Sequence, residues 1–142
     1  MSADVRLVVG VIVFLLVVTS IPYAYGYLSC PPDKWFSGVV YNMHDTGQYL
    51  SWMREAGASL LTDNKLTAEP NARVFVNLHW WIPGRLASRL GLSFALVYQL
   101  FRLIALPLLV GLTYAFCAAL FDELRQRRFA FLLSTLTSGL GW

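Results

Sequence analysis

Apolar and polar positions fall along this chain in long blocks. Residues 7–28, LVVGVIVFLLVVTSIPYAYGYL, carry no charge. An uncharged run of that length covers the roughly 20 residues a helix needs to cross a hydrocarbon core, and Tyr23, Tyr25 and Tyr27 form an aromatic belt at its end. A more polar stretch, 29–91, follows. Residues 92–121 are apolar again except for Arg102, long enough for an entry turn and a full crossing, with Pro107 and Gly111 as kink points. A third apolar run begins at Phe129. At 1.5 Å per residue, 129–142 reaches only about 21 Å, so it reads as the start of a third span and the chain as the N-terminal part of a longer polytopic protein. A re-entrant final helix is the alternative.

Within 29–91 the pattern changes period. After the turn signals SCPPDK, the segment 46–57 places Tyr49, Trp52, Met53 and Ala56 at i, i+3, i+4 and i+7, one face of an amphipathic helix. Residues 58–72 read as an irregular loop. A second amphipathic segment, 73–90, mixes Phe75, Trp80, Trp81 and Ile82 with Arg73, Arg85 and Arg89, a combination suited to a headgroup layer. Pro83-Gly84 is expected to break it into two pieces. The predicted fold is all-α: one membrane domain over 1–142, with two or three transmembrane helices and an external loop carrying two juxtamembrane helices.

Composition agrees. With 57% hydrophobic and 13% charged residues and a mean hydropathy of +0.56, the chain is far less charged than soluble domains, where charged residues are about 25%. The net charge of +3 reads as topology rather than as a nucleic-acid partner, because Arg125, Arg127 and Arg128 crowd together just after the second span. By the positive-inside rule that cluster is cytoplasmic. The N-terminus is then cytoplasmic too and 29–91 extracytoplasmic, as in a bacterial inner (plasma) membrane. The first run reads as a retained anchor rather than a cleaved signal: it exceeds the roughly 7–15 apolar residues usual for signals, and no A-x-A-like site follows. Cys30 falls outside and Cys117 within the membrane, too far apart to pair.

This places Asp45, in NMHDTGQYLSWM (42–53), close to the extracytoplasmic membrane surface. The pattern FSGVVYNMHDTGQYLSWMREAGAS, then GRLASRLGLS, then LFRL at the second span, resembles the GT-C superfamily of polytopic glycosyltransferases that use polyprenyl-phosphate-linked sugars. That resemblance covers nearly the whole chain and implies a lipid-linked sugar donor, an acceptor at the extracytoplasmic face and an acidic residue soon after the first span. Many members carry a paired acidic motif, whereas Asp45 has His44 as its neighbour.

Glycosyl transfer at the outer leaflet requires a base for the acceptor hydroxyl, or a carboxylate holding a divalent cation against the phosphate leaving group. Asp45 is the candidate for either task, with His44 as proton partner. Capping of a helix that starts at Thr46 or Gly47 is the competing and compatible role. His79 with His44 and Asp45 makes a weak metal constellation for want of tight spacing, and ordinary interfacial histidine is the plainer account. Arg102, costly inside a span unless paired, is a candidate for a lipid phosphate, with snorkelling or pairing as the alternative. Arg85 and Arg89, four apart on one helical face, are phosphate candidates or a solvated face. A non-catalytic accessory subunit of a membrane complex, docking on other membrane subunits through its amphipathic helices, is the competing function.

Overall fold

The structure, a computed structural model, describes residues 3–40, 42–64 and 66–137; of Met43 and His44 it describes the backbone alone. Five helices dominate it: α1 (Ala3–Leu28), α2 (Met43–Ala58), α3 (Leu78–Leu90), α4 (Phe94–Leu120) and α5 (Leu124–Leu136). The chain divides into two compact units, Met1–Thr19 with Leu103–Trp142, and Ser20–Arg102.

α1 and α4 hold 26 and 27 residues. At 1.5 Å per residue each reaches about 40 Å, more than the roughly 30 Å of a hydrocarbon core. Both are apolar enough to cross a membrane, and only 6% and 11% of their most apolar stretches are buried within the protein. A core helix of a soluble domain would be mostly covered; these two present Val13, Phe14 and Val17, and Leu108, Leu109 and Leu112, to their surroundings. Pro22 and Pro107 both lie inside unbroken helices.

In the first unit, Val11, Val110, Cys117 and Phe131 form the buried core, with Tyr114 edge-on to Phe131 at 5.3 Å. α5 begins at Leu124, ahead of the apolar run that starts at Phe129, so the arginine cluster is helical and mostly engaged. Arg127 donates to the Phe121 carbonyl from Nε at 3.2 Å and from Nη2 at 3.1 Å, satisfying a backbone acceptor that the end of α4 leaves open. Arg128 pairs with Asp4, Nε to Oδ1 at 2.8 Å. That ion pair puts the start of α1 and the start of α5 at one end of this unit. Residues 138–142 of the anticipated third span lie outside the described residues.

The second unit is organised by α2 against α3. Met53, Ala56 and Ala87 are fully buried between them, and Val97 of α4 joins the same cluster. Met53 and Ala56, read from 46–57 as part of one apolar face, are buried where α2 packs on α3. The helix starts at Met43 rather than Thr46, because Asn42 adopts the left-handed conformation (φ 48°, ψ 59°) that opens it, which Asn tolerates better than most residues.

Pro83-Gly84 does not break α3, which runs unbroken from Leu78 to Leu90. Both residues are buried, and a Cβ on Gly84 would stand 2.1 Å from the Met53 carbonyl oxygen. Glycine is there so that two backbones can touch. α3 ends on Gly91 (φ 65°), the conformation typical of a glycine helix stop. Ser93 opens α4 two residues later, its Oγ accepting from the Leu96 amide at 3.2 Å.

Residues 73–77 are not helical, although the expected amphipathic segment begins at Arg73. Phe75–Val76 pairs antiparallel with Leu61–Thr62 as a two-stranded ribbon (β2 with β1), Leu61 opposite Val76 and Thr62 opposite Phe75. The 58–72 stretch is accordingly not wholly irregular. The ribbon is clipped by Arg73, whose Nε lies 2.9 Å from Oε1 of Glu55, a carboxylate whose side chain is 9% exposed. Pairing offsets the cost of burying that charge.

Candidate functional site

The site grows from the first turn of α2. Asp45 is the third helical residue and so does not cap the helix; Asn42 holds the cap position, with no side-chain capping bond. Instead the Asn42 amide Nδ2 donates to the Asp45 carboxylate, and the Thr46 amide donates to the Asn42 carbonyl at 3.0 Å. A carboxylate in the first turn is favoured by the positive end of the helix dipole. Asp45 is half-buried and Thr46 buried.

Beside this turn lies a cavity of about 210 Å3 lined by Tyr23, Val39, Asn42, Thr46, Tyr49 and Tyr98. Its tyrosines are held by a ladder of rings. Tyr49 stacks on Trp80 at 5.0 Å, and Trp80 in turn on Tyr98 at 6.2 Å. Behind Tyr23, the Arg102 guanidinium carbon sits 4.8 Å from the ring centroid, within cation–π range. Arg102 also donates to Gln99 Oε1 at 2.8 Å and to Ser20 Oγ at 3.1 Å, and Gln99 passes the connection on to the Gly38 carbonyl at 2.9 Å. Gly38 is tightly placed: its φ is 77°, and a Cβ there would approach the Tyr27 hydroxyl to 2.9 Å. The arginine that looked costly inside a span is therefore paired within the protein.

The chain matches no family model, no curated protein and no solved structure.

The other sequence candidates disperse. His79 is exposed on α3, its ring edge-on to Trp80 at 4.5 Å. Arg85 and Arg89, also on α3, line a separate recess with Trp81, Ile82 and Leu86. The side chain of His44 lies outside the described residues. Among the described residues, no group of three or more His, Cys, Asp or Glu side chains is placed to hold a metal ion.

Sequence reasoning missed the tyrosines. Tyr23 reads as an interfacial belt residue and Tyr49 as part of an apolar face, while Tyr98 is hidden in a span. The available signal was that all three carry hydroxyls at positions a leucine would fill as well. Around the same helix a larger groove, about 730 Å3, is lined among others by Trp35, Leu50, Ser51, Arg54 and Phe94, with the Arg54 guanidinium 5.7 Å above the Phe94 ring.

Proposed function

We propose that this chain carries the sugar-donor site of an integral membrane glycosyltransferase, with Asp45 as the acid that activates the acceptor hydroxyl or holds a divalent cation at the phosphate. One observation carries the reading: Asn42, whose amide donates to the half-buried Asp45 carboxylate, itself lines a small tyrosine-walled cavity in the unit that contains the end of α1 and the start of α4. Aromatic walls with hydroxyl tips suit a sugar ring, apolar on its faces and polar at its rim. Arg102, braced against Tyr23, contributes positive charge near where a donor phosphate would lie. The groove on the neighbouring face of α2 leaves room for an acceptor. His44 is the proposed proton partner.

Donor capture tests this directly. A photoreactive polyprenyl-phosphate sugar added to membranes containing the full-length protein should label the first turn of α2 or the tyrosines around it. Val39→Trp, which fills the cavity from its loop side, should weaken capture at least about tenfold, equivalent to about 1.4 kcal/mol. Labelling confined to other segments, or undiminished in Val39→Trp, would remove the cavity from the mechanism.

The same reading places the N-terminus and Arg125 in the cytoplasm and 29–91 outside. The like-ended Asp4–Arg128 pair and the arginine cluster support it. In a variant lacking Cys30 and Cys117, a membrane-impermeant thiol reagent applied from outside should modify Asn64→Cys and spare Gln126→Cys. The inverse pattern would put Asp45 on the wrong leaflet for a polyprenyl-phosphate donor presented outside.

A further inference from the structure

α3 has two faces, and the arrangement at the tyrosine cavity explains only one. Pro83, Gly84 and Ala87 are buried, with Ala87 and Trp80 in the cluster around Met53. At 100° per residue the opposite side is made by Leu78, Trp81, Ile82, Arg85, Leu86 and Arg89. Most of it is open: Leu78 and Ile82 are 59% and 53% exposed, and Leu86 and Arg89 are exposed, while Trp81 and Arg85 are half-buried. Large apolar side chains interleaved with two arginines make a poor surface for water and a poor core for another protein. The Arg85 guanidinium lies 5.7 Å from the Trp81 ring, and Trp81, Ile82, Leu86 and both arginines line a recess of about 240 Å3.

Charge decides what this face fits. α3 contains no acidic residue, and none occurs between Glu69 and Asp122, a stretch that holds Arg73, Arg85, Arg89 and Arg102. We propose that the outward face of α3 lies in the headgroup layer of the bilayer and selects anionic phospholipid, with Arg85 and Arg89 gripping the phosphate while Leu78, Ile82 and Leu86 enter the acyl boundary. Arginine forks match phosphate oxygens in pairs, the aliphatic stems reach from apolar depth to the polar layer, and tryptophan prefers that same layer. The inference rests on the membrane placement proposed above and is independent of the transferase chemistry.

The test uses the full chain with Cys30 and Cys117 replaced and a fluorophore on Ile82→Cys. It is reconstituted in phosphatidylcholine vesicles containing a minor fraction of either brominated phosphatidylcholine or brominated phosphatidylglycerol. Both brominated lipids should quench the label, the anionic one well beyond its share of the bilayer. Arg85→Gln and Arg89→Gln should each reduce that excess by about fivefold, the effect expected of one basic residue at a charged surface. Added salt should shrink it further. Lysine at both positions should retain much of the excess, which separates charge from loss of fold.

Equal quenching by the two lipids in vesicle-bound protein would overturn the proposal. So would efficient quenching by aqueous iodide, which would show the face in water, or protection from all three quenchers, which would show it covered by protein. Failure of the chain to float with the vesicles would overturn both this inference and the membrane placement beneath it.

Discussion

Asp45→Asn in the membrane-embedded full-length protein should fold as the parent does and lose sugar transfer by about a hundredfold or more, the usual cost of removing a general base. The substitution keeps shape and an acceptor oxygen for the Asn42 amide while removing the charge. Asp45→Ala removes that oxygen too, along with the favourable carboxylate at the dipole's positive end, so it should also cost roughly 0.3–1 kcal/mol of stability. Transfer from a polyprenyl-phosphate sugar, measured beside thermal unfolding in the same membranes, separates the roles. If Asp45→Asn transfers sugar at the parental rate, the carboxylate only stabilises the first turn of α2 and the transferase reading loses its base.

Gly84→Ala should be among the most damaging one-carbon changes in the second unit. The new Cβ would stand 2.1 Å from the Met53 carbonyl oxygen and 2.9 Å from the Gly57 amide nitrogen. Both are backbone atoms, so no side chain can swing away and the helices must separate. Overpacking of this kind costs about 1–3 kcal/mol or more, and here the upper end is expected. Separation would loosen the Tyr49–Trp80 stack as well, and with it the tyrosine wall of the cavity. Gly47→Ala is the matched control: it too lies within a helix, but nothing approaches its Cβ position within 4 Å. Replacing an unhindered helical glycine should stabilise by about 0.5–1 kcal/mol. Unfolding measurements that show the two alanines equally tolerated would refute the close crossing of α2 and α3.

The parts of this fold that were legible in advance are those whose cause is local. Two apolar runs longer than twenty residues, one uncharged and one interrupted only by Arg102, have few alternatives to long helices. Tyr49, Trp52, Met53 and Ala56 repeat at a helical period whatever they pack against. The errors share a different cause. Pro83-Gly84 signals a turn in isolation, yet here the pair makes a contact surface, and only the partner backbone of α2 reveals it. Arg73, Phe75 and Val76 fit a helical pattern until β1, more than ten residues earlier, supplies hydrogen-bond partners. The capping role weighed for Asp45 fails, because the left-handed Asn42 that starts the helix three residues sooner leaves no mark in hydrophobic periodicity. The cavity was illegible for a related reason. Its three tyrosines come from α1, α2 and α4, and nothing along the chain indicates that they share a wall.

The small ribbon and its Arg73–Glu55 clip also bear on how this part of the chain tolerates change in length. Because β1 and β2 already bring the end of α2 and the start of α3 together, the excursion between Asp63 and Ala72 leaves and returns at one tied point. Closing a flexible loop costs only about 0.6 kcal/mol more for each doubling of its length. Inserted residues would therefore be taken up at the exposed tip around Thr67 to Pro70, without being felt at the Gly84 crossing or the tyrosine wall. Variation in length can accumulate at that tip, whereas the three residues between α3 and α4 leave no such slack.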